Sequence, residues 1–208
     1  MSRTPVYLEV GDKRVFAGAL DWPGWIRAGK GEDQAVEWLA ATADRYAPVA
    51  RAAGFPLPAD ASRSLEVVER VKGNGTTDFG APGIPAQADA EPLRGKELER
   101  HLALLSAAWA AFDKVVGKAP AELRKGPRGG GRDRDEMVEH VLGAESAYAS
   151  KLGAKLPAPA PTGAAVEQFR EAIINAIRTG EGSWPARYAI RRFAWHALDH
   201  AWEIEDRS

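Results

Sequence analysis

The sequence predicts two unlike halves: an α+β module of order β-β-α-β over residues 1–72, and an all-α four-helix bundle over residues 93–208. Three observations carry this. Apolar residues alternate with period two near the start and recur with helical period after residue 93. Between them, Gly73 to Pro92 holds four glycines and three prolines and reads as a linker.

In the first half, Val6, Leu8 and Val10 alternate with Tyr7 and Glu9, which predicts a strand. Gly11-Asp12 is a turn signal, and Arg14 to Leu20 supplies the second strand of a hairpin. Asp21-Trp22-Pro23-Gly24-Trp25 breaks regular structure. From Glu32 to about Ala52, apolar residues at helical spacing predict one helix, with Glu32 and Asp33 suited to the dipole of its first turn. Leu65, Val67 and Val71, with Val68 facing the other way, suggest a third strand.

In the second half, Leu98, Leu102, Leu105, Trp109, Phe112 and Val116 predict a first long amphipathic helix. Met137, Val141, Ala144, Tyr148 and Leu152 predict a second, with Asp133 or Asp135 as its cap. Val166, Phe169, Ile173 and Ile177 follow Thr162 as a third. A fourth, capped by Ser183 with Pro185 in its first turn, carries Phe193, Ala197 and Ile204. Four such helices without intervening strands make a bundle.

Composition narrows the function. The 208 residues suffice for a substantial core, and 45% hydrophobic with 27% charged residues is ordinary globular usage. The balance of 28 basic and 29 acidic residues argues against nucleic acid as a main partner, since duplex binding needs a concentrated basic surface. The stretch from Lys118 to Arg134, with six basic residues, reads as a solvated loop before an anion site. Gly129-Gly130-Gly131 lacks the preceding strand and following Lys-Ser/Thr of a phosphate loop. No apolar run reaches the roughly 18 residues of a membrane span, and Met1 to Pro5 lacks the apolar core of a signal peptide. With no cysteine, disulfides and thiolate ligands are excluded, and a cytoplasmic location is expected. Self-association is left open.

The chain has four histidines. His196 and His200 are four apart on the fourth helix, so their imidazoles share a face and can reach one ion. His140 lies beside the apolar stripe of the second helix and points inward. Spacing alone leaves two interpretations open, a divalent-metal site and a set of hydrogen-bonded core histidines. His101, beside Leu98, Leu102 and Leu105, is expected to be structural. Asp199, Glu203 and Glu145 are acids from which an imidazole-orienting carboxylate would come, and spacing does not choose among them. Arg187 and Arg191, one turn apart and N-terminal to His196, are candidates to hold a substrate carboxylate, against the alternative of a solvated face.

Residues 94–208 resemble the DinB-like metal-binding bundle family. The similarity lies in Met137-Val138-Glu139-His140-Val141 and in Trp195-His196-Ala197-Leu198-Asp199-His200-Ala201-Trp202-Glu203-Ile204. The resemblance implies a divalent metal, zinc or nickel, on His140, His196 and His200, and a thiol-dependent transferase, isomerase or hydrolase of small molecules. The alternative is a non-catalytic regulatory protein whose bundle senses metal or is purely structural. His140 and His196 stand closer in sequence than is usual for that family, which implies a short third helix. The N-terminal module, with Val15-Phe16-Ala17-Gly18-Ala19-Leu20 and the Trp22-Pro23-Gly24 turn, resembles the small HicB-like fold. That similarity implies a fold and assigns no function.

Overall fold

The computed structural model describes residues 3–126 and 130–208. Met1, Ser2, Pro127, Arg128 and Gly129, with the parts of the N-terminal and glycine-rich segments they form, lie outside the described residues. The architecture is a mixed four-stranded sheet with helices, followed by a helical region of four long helices.

Strands β1 (Thr4–Val10) and β2 (Val15–Ala19) form the expected hairpin, closed by the Gly11 amide donating to the Arg14 carbonyl. A further strand, β3 (Ile26–Gly29), pairs antiparallel with β2 and makes the sheet four-stranded rather than three-stranded. Strand β4 (Leu65–Lys72) returns parallel to β1 at the opposite edge, giving the order β3-β2-β1-β4. A bulge between Val6 and Tyr7 leaves Val68 unpaired, and its side chain is exposed. The single helix expected after Glu32 is instead two, α1 (Glu32–Ala41) and α2 (Ala43–Ala52). The axis breaks at Thr42, whose hydroxyl donates to the Leu39 carbonyl at 2.9 Å and competes with the backbone ladder. Pro48, inside α2, supplies no amide to the turn below it.

The segment from Gly73 to Pro92 contains a short helix, α3 (Gly75–Phe79), and one 3-10 turn at Gln87–Ala90, with no continuous element through it. It is pinned at two places. Buried Glu9 accepts from the Gly83 and Ile84 amides at 2.8 and 3.0 Å and from the Thr77 hydroxyl. Buried Asp89 forms a two-pronged ion pair with Arg191 of the last helix.

The four long helices are α4 (Gly95–Val116), α5 (Arg134–Lys151), α6 (Gly163–Thr179) and α7 (Ala186–Arg207). Of the two candidate caps for α5, Asp133 takes the position, with Glu136 completing a capping box. The N-cap of α7 is Pro185 and not Ser183, whose hydroxyl donates to the Lys151 carbonyl. At 17 residues, α6 is not the short helix that the resemblance implied.

Helix α7 is central. Every residue from Tyr188 to Leu198 is buried, because α4, α5 and α6 pack on one side and the sheet on the other. Phe16 of β2 meets Trp195 edge to face at 5.9 Å, and Gly24 lies directly against Ala194 and Leu198. Gly24 has φ +92°, and a Cβ there would come within 2.8 Å of the Leu198 side chain. Glycine is therefore required for this close approach. The apolar core runs without interruption from the sheet, through Trp25 and Tyr46, into the bundle.

Beneath α7 the bundle buries a charge. Glu145 of α5 is fully buried, accepting from Trp109 Nε1 at 2.6 Å, with Arg170 Nε at 3.8 Å. Burial pushes its carboxyl up to about 7, against the pull of Arg170. The folded value lies above the ordinary value of 4.5, so the stability it contributes is present below that pH and is lost as pH rises through about 7. Glu145→Gln is therefore expected to flatten the fall in stability between about pH 4.5 and about pH 7. Urea denaturation of both proteins at the two pH values measures this.

Candidate metal centre

The site forms where α5 passes α7. Residues 196 and 200 are one turn apart, so the helix alone stacks their rings on one face. Packing of α5 on α7 then brings His140 over both. The ring centroids are 5.2 Å apart for His140 and His196, 4.9 Å for His140 and His200, and 4.5 Å for His196 and His200. One nitrogen from each ring lies within 4.8 Å of the other two, an arrangement able to hold a metal ion.

The donor set suits a divalent ion. His196 Nε2 and His200 Nε2 are 3.2 Å apart. Imidazole nitrogens at about 2.0–2.1 Å from one ion are about 3.3–3.4 Å apart in a tetrahedral shell and about 2.8–3.0 Å for neighbours in an octahedral one. The observed spacing falls between these. It also permits one imidazole to donate a hydrogen bond to the other, and the third converging ring is what separates this cluster from a hydrogen-bonded pair.

Two of the three rings, His140 and His196, are held in the neutral form that ligates. Burial pushes His140 down to about 4, with His200 and exposed Arg132 adding like charge and Glu203 opposing them. His196 lies well below its ordinary value, chiefly through burial, then through His200, Arg192, His140 and Arg132. At neutral pH both therefore present lone pairs. His196 Nδ1 is buried without a hydrogen-bond partner among the described residues, so only its contact with His200 Nε2 engages the ring.

Among the three candidate acids, Glu203 is the orienting one. Its Oε2 is 3.1 Å from His200 Nδ1, which fixes the tautomer with Nε2 facing the centre. Glu203 is itself held by Arg207 Nη1 at 2.8 Å, and Arg207 Nε donates to the Arg124 carbonyl at 2.7 Å. The α4–α5 loop is thereby tied to the end of α7, and Gly131 packs against the Arg207 guanidinium. Asp199 instead pairs with Arg27 at 3.1 Å. Glu145 belongs to the Trp109–Arg170 cluster. His101 Nδ1 lies 2.9 Å from the Glu97 carbonyl, and His101 stays outside the three-histidine cluster.

The two arginines expected to hold a carboxylate are committed elsewhere. Arg191 is buried in its pair with Asp89, its guanidinium 4.4 Å from the Tyr7 ring. Arg187 donates to Glu97 at 2.6 Å and to the Glu91 carbonyl at 3.1 Å. Five residues before His196 lies on a different helix face, whereas four before lies on the same one. The arginine on the histidine face is Arg192. Sequence reasoning missed it, although the same four-residue spacing that paired His196 with His200 points to it.

Among the described residues no helix is long and apolar enough to cross a membrane. Comparisons with protein-family models, curated proteins and solved structures give no match, so the DinB-like and HicB-like resemblances rest on the residues quoted for them.

Proposed function

We propose that the protein binds one divalent metal ion, zinc or nickel, on His140, His196 and His200, and that it is a metal-dependent enzyme acting on a small molecule. The convergence of three imidazoles from two helices carries this reading. Three neutral donors leave the ion's charge undiminished and leave coordination positions open, whereas structural zinc sites are usually closed by four protein ligands. A metal so held supplies Lewis acidity towards an oxygen or sulfur group. The chain has no cysteine, so the thiol of any thiol-transfer reaction would come from a co-substrate. The protein's own residues place the imidazoles, keep protons off His140 and His196, and fix His200 through Glu203 and Arg207. The even charge balance favours small-molecule over nucleic-acid partners.

The test is a screen of thiol-transfer, isomerisation and hydrolysis substrates with metal-loaded wild type and His196→Ala. Turnover is expected from the wild type alone. Equal turnover by both would leave the metal without a catalytic role.

A further inference from the structure

Three arginines are buried among the described residues: Arg170, Arg191 and Arg192. Arg170 pairs with Asp113 at 2.7 Å and Arg191 with Asp89. Arg192 has no carboxylate partner among the described residues, and its Nη1 is buried without a hydrogen bond. A buried guanidinium with unmet donors is costly, and neutralisation is closed to arginine.

Its surroundings explain where a partner would come from. The guanidinium carbon lies 5.0 Å from the Tyr148 ring and 4.8 Å from the Trp195 ring, and the Tyr148 hydroxyl lies beside it. Tyr148 in turn meets His196 edge to face at 5.7 Å, and Trp184 meets Tyr148 at 5.4 Å. The two aromatic rings take no hydrogen bond from Nη1 and leave that donor for an acceptor from outside the chain. Arg192 precedes His196 by one turn, so that edge and the open side of the imidazole cluster belong to one helix face.

We propose that Arg192, assisted by the Tyr148 hydroxyl, binds the carboxylate of a small-molecule ligand whose second donor group faces the three imidazoles. The carboxylate position stands on the buried guanidinium whose Nη1 has no hydrogen-bond partner. The role of the second donor rests on the metal-centre reading. A planar carboxylate matches the arginine fork two-pronged, and a second group two or three bonds away would reach towards the ion.

The experiment has two arms, so that the two readings fail separately. In the first, metal-free full-length protein is melted in acetate, in phosphate and in chloride at equal ionic strength. Acetate is expected to raise the melting temperature of the wild type, because a ligand that binds only the folded state stabilises it by mass action. Arg192→Met should show no such shift, and Arg192→Lys, which keeps the charge and loses the fork, a smaller one. In the second arm, cobalt-loaded protein is titrated with mercaptoacetate and with 2-mercaptoethanol, followed by visible absorption. The wild type should prefer the charged thiol by about tenfold or more, the usual worth of a charge-assisted hydrogen bond, and Arg192→Met should lose the preference while still binding 2-mercaptoethanol. If Arg192→Met does not fold by circular dichroism, the lysine variant decides. An acetate shift that survives in the variants, or that phosphate exceeds, overturns the carboxylate site. Failure of the wild type to take up cobalt sinks the metal reading, and the acetate arm alone then decides Arg192.

Discussion

His196→Ala is expected to take the protein from one bound divalent ion per chain to none, with the helical fold retained. His196 is the most deeply buried of the three imidazoles. Removing an orienting residue behind a ligand commonly costs about 10–100-fold in metal affinity, so losing one of three ligands should exceed that. Glu203→Gln, which weakens the hold on His200 Nδ1 without touching a ligand, should fall within it. The fold survives because the site sits on helices held by Phe193, Ala197, Leu198 and Ala201, all buried in the core. The cavity left by the ring should cost about 1–3 kcal/mol, below the stability of a typical domain. Elemental analysis of untagged protein purified without chelator, with circular dichroism of the same samples, measures both quantities. Metal retained at wild-type stoichiometry by His196→Ala would end the three-histidine assignment.

The largest effect on stability is expected at Asp89→Ala. Asp89 and Arg191 bury each other almost completely, with side-chain exposures of 1% and 3%, and Asp89 also accepts from the Ala86 amide at 2.6 Å. Removing one partner of a buried pair leaves an uncompensated charge and typically costs about 3–5 kcal/mol. Here the loss also frees the segment between β4 and α4, leaving Glu9 as its remaining buried polar anchor. The double variant Asp89→Leu/Arg191→Met should recover most of the loss, because it removes the stranded charge while keeping apolar volume. Urea denaturation of the three proteins reads this directly. A single variant as stable as the wild type would show that the pair does not hold the segment to α7. The same comparison frames Arg192, which is buried with no carboxylate partner among the described residues.

Local periodicity settled a large part of this architecture. The β1–β2 hairpin, the four long helices and the i, i+4 relation of His196 and His200 follow from repeats of two and 3.6 residues. Those repeats belong to the backbone and are written within a dozen residues of each element. The inward position of His140 was legible for the same reason, since it borders a clear apolar stripe. Tertiary structure alone decided the features that depend on what lies opposite. Strand β3 is four residues long and exists as a strand because β2 offers it an edge. The choice of Glu203 over Asp199 and Glu145 depends on Arg207, Arg27 and Trp109, each arriving from another part of the fold or another turn of the helix. The sequence does not single out Arg192, the arginine on the histidine face, because α7 is covered by the sheet on one side and the bundle on the other. A helix buried on every side from Tyr188 to Leu198 has no polar face in its sequence to mark which arginine meets a carboxylate and which meets the site. The sequence determined which residues share a turn, and packing of the sheet and three helices around α7 decided which of them share a site.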